Sequence, residues 1–121
     1  MSETLFFFDT YAFFEIIRGN PAYEDYEAAD AITTIFNLAE LNYALKKEKN
    51  KEVADKITRQ YELFLADVKL QDIMEAMDLK TGNRHFSIPD AIGYVVAKRN
   101  NAKFLTGDGA FKDMPNVAFV K

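Results

Sequence analysis

Hydrophobic positions along this chain fall into blocks whose period changes from strand-like to helix-like and back. Leu5 to Phe8 is an unbroken apolar run, aromatic-rich and too short for a helix, which predicts a strand buried on both faces. It stops at Asp9, and the spacing of Phe13, Phe14, Ile16 and Ile17 predicts a helix from about Thr10 to Arg18. Gly19-Asn20-Pro21 ends it. Tyr23 to Ala31 is short and acidic and reads as a surface helix, while Ala31 to Phe36 is rich in β-branched residues and predicts a second strand. A helix is expected from Asn37, with Leu38, Leu41, Ala44 and Leu45 on one face, and another over Lys51 to Phe64. Ala66 to Leu70 alternates weakly, as a short strand would, and Gln71 to Lys80 is helical. Ile88, Ala91, Ile92, Val95 and Val96 form the cleanest helical stripe, predicting a buried helix to about Asn100. Lys103 to Thr106 and Val117 to Val120 close the series as strands. Strands alternating with helices predict a three-layer α/β/α sandwich around a mainly parallel sheet of four or five strands.

Composition narrows this picture. At 121 residues the chain makes one domain, residues 1–121, with enough length for a real core. Hydrophobic residues make up 49%, which excludes wholesale disorder. No apolar run nears the roughly 20 residues that cross a bilayer, and Met1-Ser2-Glu3-Thr4 lacks a basic region, so neither membrane insertion nor a signal peptide is expected. The absence of cysteine removes disulfides and thiolate metal sites and fits a cytoplasmic location. The only histidine, His85, argues against a histidine-based zinc site. A net charge of −4 disfavours passive nucleic-acid binding. Acids gathered around divalent cations would escape that objection, because the ions change the charge a phosphate meets.

Four acids stand out by position. Asp9 ends the first strand, Asp108 follows the Lys103–Thr106 strand, and Glu40 and Asp90 lie in the first turns of helices. Each has an ordinary explanation. Asp9 can cap its helix, Asn37-x-x-Glu40 and Ser87-x-x-Asp90 both have the form of capping boxes, and Asp108 lies in a glycine-flanked turn. Taken singly, capping accounts for Glu40, Asp90 and Asp108 better than chemistry does. Taken together, all four fall where an open α/β sheet gathers its ligands. Hard cations such as Mg²⁺ and Mn²⁺ take carboxylate oxygens and need neither His nor Cys. Two unit charges about 4 Å apart repel by about 4 kcal/mol at an effective dielectric of 20, so converging acids call for cations or raised pKa values.

These residues carry a resemblance. The apolar strand before Asp9-Thr10, the run Thr34-Ile35-Phe36-Asn37-Leu38-Ala39-Glu40-Leu41, Asp90 leading Ala91-Ile92, and Phe104-Leu105-Thr106-Gly107-Asp108-Gly109-Ala110-Phe111 together resemble the PIN domain. They are most similar to the single-domain toxins of the VapC type, and the resemblance spans nearly the whole chain. It implies a Mg²⁺- or Mn²⁺-dependent endoribonuclease, the toxin of a toxin–antitoxin pair. Carried over by position, Asp9, Glu40, Asp90 and Asp108 are the expected catalytic and metal-binding acids, with Thr10 and Thr106 as polar support. Tyr11-Ala12 departs from the pattern, since many relatives place a small polar residue there. Lys46, Lys47, Arg84 and His85 are candidates for contacting the RNA backbone. Expected partners are RNA, a cognate antitoxin and, given eleven Phe and six Tyr in so short a chain, a second copy in a homodimer. A non-enzymatic PIN-like interaction module and an RNA-processing factor are the alternatives. A Mg²⁺-dependent phosphatase of the haloacid dehalogenase type fits less well, because Tyr11 stands where a second Asp is required.

Overall fold

Two of the three consecutive phenylalanines of the first strand point in opposite directions, and each anchors its own core. In the computed structural model, which describes residues 4–121, β1 is Phe6–Phe8. It lies between β2 (Ala31–Ile32) and β3 (Lys103–Thr106), with β4 (Val117–Phe119) beyond β3, and every pairing is parallel. Phe7 sits opposite Phe104 in register, their rings stacked 5.6 Å apart. Both join Ala76 of α4 (Leu70–Gly82) and Ile92 and Val96 of α5 (Ile88–Arg99) in one core. Phe8 and Leu105, on the other face of the sheet, pack with Phe13 of α1 (Thr10–Ile17), Leu41 of α2 (Ile35–Glu48) and Ala54 of α3 (Lys51–Gln60). Full burial of each such ring contributes about 1.5–3 kcal/mol. The result is the expected three-layer α/β/α sandwich, with four strands.

Local chemistry moves several boundaries. The expected strand Ala31–Phe36 pairs with β1 only at Ala31 and Ile32; Thr33 makes a single bridge to Leu65. Thr34 then starts α2, its hydroxyl accepting the Asn37 N–H at 3.2 Å. The helix therefore begins at Ile35, Glu40 lies in its second turn, and Asn37-x-x-Glu40 is not a capping box. Tyr23–Ala31 is no surface helix either. A 3-10 turn covers Pro21–Tyr26, and Tyr23 is buried, its hydroxyl donating to the Val120 carbonyl. Ala66–Leu70 forms no strand, because Asp72 accepts the Lys69 N–H at 2.9 Å and α4 starts at Leu70. The helix expected over Lys51–Phe64 stops at Gln60 and is followed by a 3-10 turn over Glu62–Phe64.

The strand order β2-β1-β3-β4 has a functional consequence. The chain leaves β1 towards β2 on one side and comes back to β3 on the other. Crossovers diverge at that point, and the crevice they leave lies at the carboxyl ends of β1 and β3. One close approach holds α5 against the crevice. A Cβ at Gly93 would lie 2.8 Å from Phe7 Cε1 and 3.2 Å from Asn37 Oδ1, so glycine lets α5 settle onto β1 and α2. Among the described residues, no helix is long and apolar enough to cross a membrane.

Candidate active site

Asp9 follows the last residue of β1, and Asp108 lies two residues beyond β3. The parallel β1–β3 pairing therefore brings both to the same edge of the sheet. The Asp9 carboxylate is only 1% exposed. Its Oδ1 accepts the Ala12 N–H at 2.8 Å, so Asp9 does cap α1. Capping leaves its burial unrelieved. Burial pushes its pKa up to about 8, the Thr106 hydroxyl and the Ala12 N–H pull it down, and the charges of Asp90 and Asp108 push it up further.

The other three acids are half-buried, each with one oxygen engaged. Asp90 Oδ2 accepts the Ser87 N–H at 3.0 Å while Ser87 Oγ accepts the Asp90 N–H at 3.1 Å, which completes the expected capping box of α5. Burial raises the Asp90 pKa, the Ser87 bonds oppose it, and the Glu40 and Asp108 charges add to the rise. Asp108 Oδ1 accepts the Ala110 N–H at 3.0 Å, and its own N–H donates to Thr106 Oγ1 at 3.0 Å. The Thr10 hydroxyl donates to Glu40 Oε1 at 2.6 Å, tying the start of α1 to α2. Asp9, Glu40, Asp90 and Asp108 thus form one electrostatic neighbourhood, with Thr10 and Thr106 inside it.

Divalent-ion fit can be judged from these donors. All are oxygens, and the engaged atoms leave a second carboxylate oxygen on Glu40, Asp90 and Asp108 outside these bonds. As placed, no three acidic side chains among the described residues stand close enough to clasp one ion. Mg²⁺ does not require that arrangement. It dehydrates reluctantly, keeps several waters, and is usually held by one or two carboxylates together with substrate phosphates. The donor set fits a hydrated hard cation bound partly through water.

The basic candidates lie differently. Lys46 is held by Asp55 at 3.1 Å, and the Lys47 amine sits 4.6 Å from the Tyr43 ring centroid. Both cations have local partners on the surface of the α2 end. Arg84 and His85 are exposed in the turn that leads into α5. Lys80 fixes that turn by donating to the carbonyls of Arg84 and Phe86. A groove of about 410 Å³ between α2 and α3 includes none of the four acids.

Three further residues make contacts that sequence spacing does not show, and of these Tyr11 lies beside the edge. Tyr11, in the first turn of α1, rests its ring on the backbone at Gly107, where any Cβ would strike it. Partial burial raises its pKa, as do the charges of Glu15, Asp9 and Asp108. The aromatic in place of a small polar residue was the visible signal. Asn37 is fully buried, and among the described residues its Nδ2 is the one buried side-chain polar atom without a partner. Arg99 near the end of α5 pairs with buried Asp72, Nε to Oδ1 at 2.8 Å and the second amine to Oδ2 at 2.9 Å.

A parallel α/β sandwich with four acids on the carboxyl edge at its switch point defines the class. The chain belongs to the PIN domain family, whose pattern matches residues 6–117. Its fold is similar to a chain of a toxin–antitoxin complex from Klebsiella pneumoniae, with a TM-score of 0.74 at 16% identity, covering 93% of this chain and 95% of that one. It is equally similar to a chain of VapBC2 from Rickettsia felis bound to a DNA fragment from their promoter. There the TM-score is 0.73 at 19% identity, over 98% of this chain and 100% of that one. At such identities the likeness is one of fold. A search of curated proteins by sequence found no match.

Proposed function

We propose that this chain is a divalent-cation-dependent endoribonuclease and the toxin of a toxin–antitoxin pair. The observation that carries the reading is Asp9, a buried carboxylate at the sheet's switch point whose neutral form is favoured by burial and by Asp90 and Asp108. Capping α1 does not require that burial, whereas perturbed carboxylates in a cleft are expected at functional sites. Asp9 and Asp90 are the residues that would hold Mg²⁺ or Mn²⁺, with Glu40 and Asp108 acting through water or on a second ion. When bound, the ion supplies positive charge against the phosphoryl oxygens and a more acidic water. Thr10 keeps Glu40 turned to the edge, and Thr106 supports both Asp9 and the Asp108 backbone. Hydrolysis would leave 5′-phosphate and 3′-hydroxyl ends, as the family resemblance implies. Arg84 and His85, exposed before α5, remain candidates for RNA steering; Lys46 is less suited because Asp55 already holds it.

The family membership and the fold shared with toxin–antitoxin chains support an antitoxin as partner, and a homodimer is part of the same proposal. The interaction-module alternative predicts no cleavage. Purified protein incubated with a labelled single-stranded RNA should cut it in Mg²⁺ or Mn²⁺ and stop in excess EDTA. Cleavage undiminished by EDTA, or none with either cation, contradicts the reading.

A further inference from the structure

An edge crowded with carboxylates must still hold a polyanion, and several of its hydrogen-bond donors are already committed. The Thr10 hydroxyl donates to Glu40. The Thr106 hydroxyl supports Asp9 and accepts the Asp108 N–H. Lys80, near the end of α4, donates to main-chain carbonyls of the turn that leads into α5. Tyr11 is not committed in this way. It sits two residues after Asp9, and its ring is braced on Gly107, the residue that joins Thr106 to Asp108. The ring therefore lies against the residue that precedes Asp108. The hydroxyls of buried Tyr23 and Tyr94 donate to the carbonyls of Val120 and Pro115; among the described residues, that of half-buried Tyr11 makes no such bond. Only glycine at 107 permits this seat, because a Cβ there would overlap the Tyr11 ring and the Val120 carbonyl.

We propose that Tyr11 is a substrate-binding residue whose hydroxyl donates a hydrogen bond to a backbone phosphate of RNA lying across the carboxylate edge. The proposal rests on the ribonuclease reading for its ligand and goes beyond it in assigning a contact. A neutral donor suits this place: it binds phosphate without forming an ion pair with Asp9 or Asp108, as a lysine there would. The seat on Gly107 fixes the ring beforehand, so little side-chain freedom is lost on binding.

Tyr11→Phe removes the hydroxyl and keeps the ring on Gly107. The test is fluorescence anisotropy of a short labelled single-stranded RNA in Ca²⁺, a hard cation that also takes oxygen ligands, alongside steady-state cleavage in Mg²⁺. Loss of a hydrogen bond to a charged acceptor should weaken RNA binding roughly ten-fold or more, with the melting temperature unchanged. KM should rise by a similar factor at constant kcat, the pattern of a contact made equally in ground and transition states. Unchanged RNA affinity in Tyr11→Phe overturns the proposal, and so does a wild type that binds no RNA. Weaker binding accompanied by a lowered melting temperature also overturns it, by assigning the hydroxyl a structural role. A wild type that binds RNA through Tyr11 without cutting it in Mg²⁺ or Mn²⁺ defeats the ribonuclease reading and leaves this assignment standing.

Discussion

Asp9→Asn should make the metal-free protein more stable, and increasingly so as the pH rises. The Asp9 carboxyl has a pKa of about 8 in the folded chain against 3.8 as its ordinary value. A carboxyl with a raised folded pKa favours the fold fully below the unfolded pKa, and that contribution is lost as pH climbs through the folded pKa. Wild type should therefore lose stability between about pH 4 and pH 8. Asparagine stays neutral throughout that window and still offers Ala12 a capping oxygen. At about 1.4 kcal/mol per pH unit, the variant should gain on the order of 5 kcal/mol over wild type by pH 8 as an upper bound. For a chain of this size that is 10 °C or more in melting temperature. Near pH 4 the two should melt together. Thermal melts in EDTA at pH 4, 6 and 8 check this, and equal melting temperatures at pH 8 would mean that the burial of Asp9 carries no charge penalty.

Arg99→Met should act in the opposite direction. Asp72 is 2% exposed, and Arg99 meets both of its oxygens while also donating to the Asp67 carbonyl. Burial alone would raise the Asp72 pKa; the Arg99 guanidinium and the Lys69 N–H more than offset it and hold the carboxyl below its ordinary value. Methionine keeps the apolar stem and strands a buried carboxylate, a change that costs about 3–5 kcal/mol for a fully buried pair. Arg99 is itself a third exposed, so roughly 2–3 kcal/mol is the expectation here. Since the folded pKa of Asp72 is depressed, the pair's contribution is present above about pH 4 and disappears as pH falls further. Urea denaturation at pH 7 should show the loss, and adding Asp72→Asn should recover most of it. A double variant no more stable than Arg99→Met would place the cost elsewhere.

Much of the fold was legible because its signals are local. The apolar run before Asp9, the Ser87-x-x-Asp90 capping box and the stripe from Ile88 to Val96 each depend only on neighbours a few residues away, and they appear as β1 and α5. The second strand was misjudged because only Ala31 and Ile32 find partners on β1, and β-branched Thr34 serves as a cap. Tyr23 was expected on a surface helix because nothing local reveals that its hydroxyl reaches Val120, near the other end of the chain. Four acids could be singled out by position. Their mutual field could not, since it follows from the order β2-β1-β3-β4, which sets Asp9 beside Asp108. The seat of Tyr11 on Gly107 was hidden for the same reason. It depends on which strand lies next to β1, and sequence spacing carries no record of that.

The most direct test of the carboxylate edge as a cation site is the stabilisation that Mn²⁺ confers on wild type and on Asp9→Asn at pH 7. At 100 times its dissociation constant a ligand adds about 2.7 kcal/mol, which at this chain length is roughly 10 °C. Wild type should show a shift of that size and Asp9→Asn, though more stable without metal, should show little of it. Equal Mn²⁺ stabilisation of the two proteins, or none of wild type, would contradict the assignment of Asp9 to a metal-dependent nuclease site.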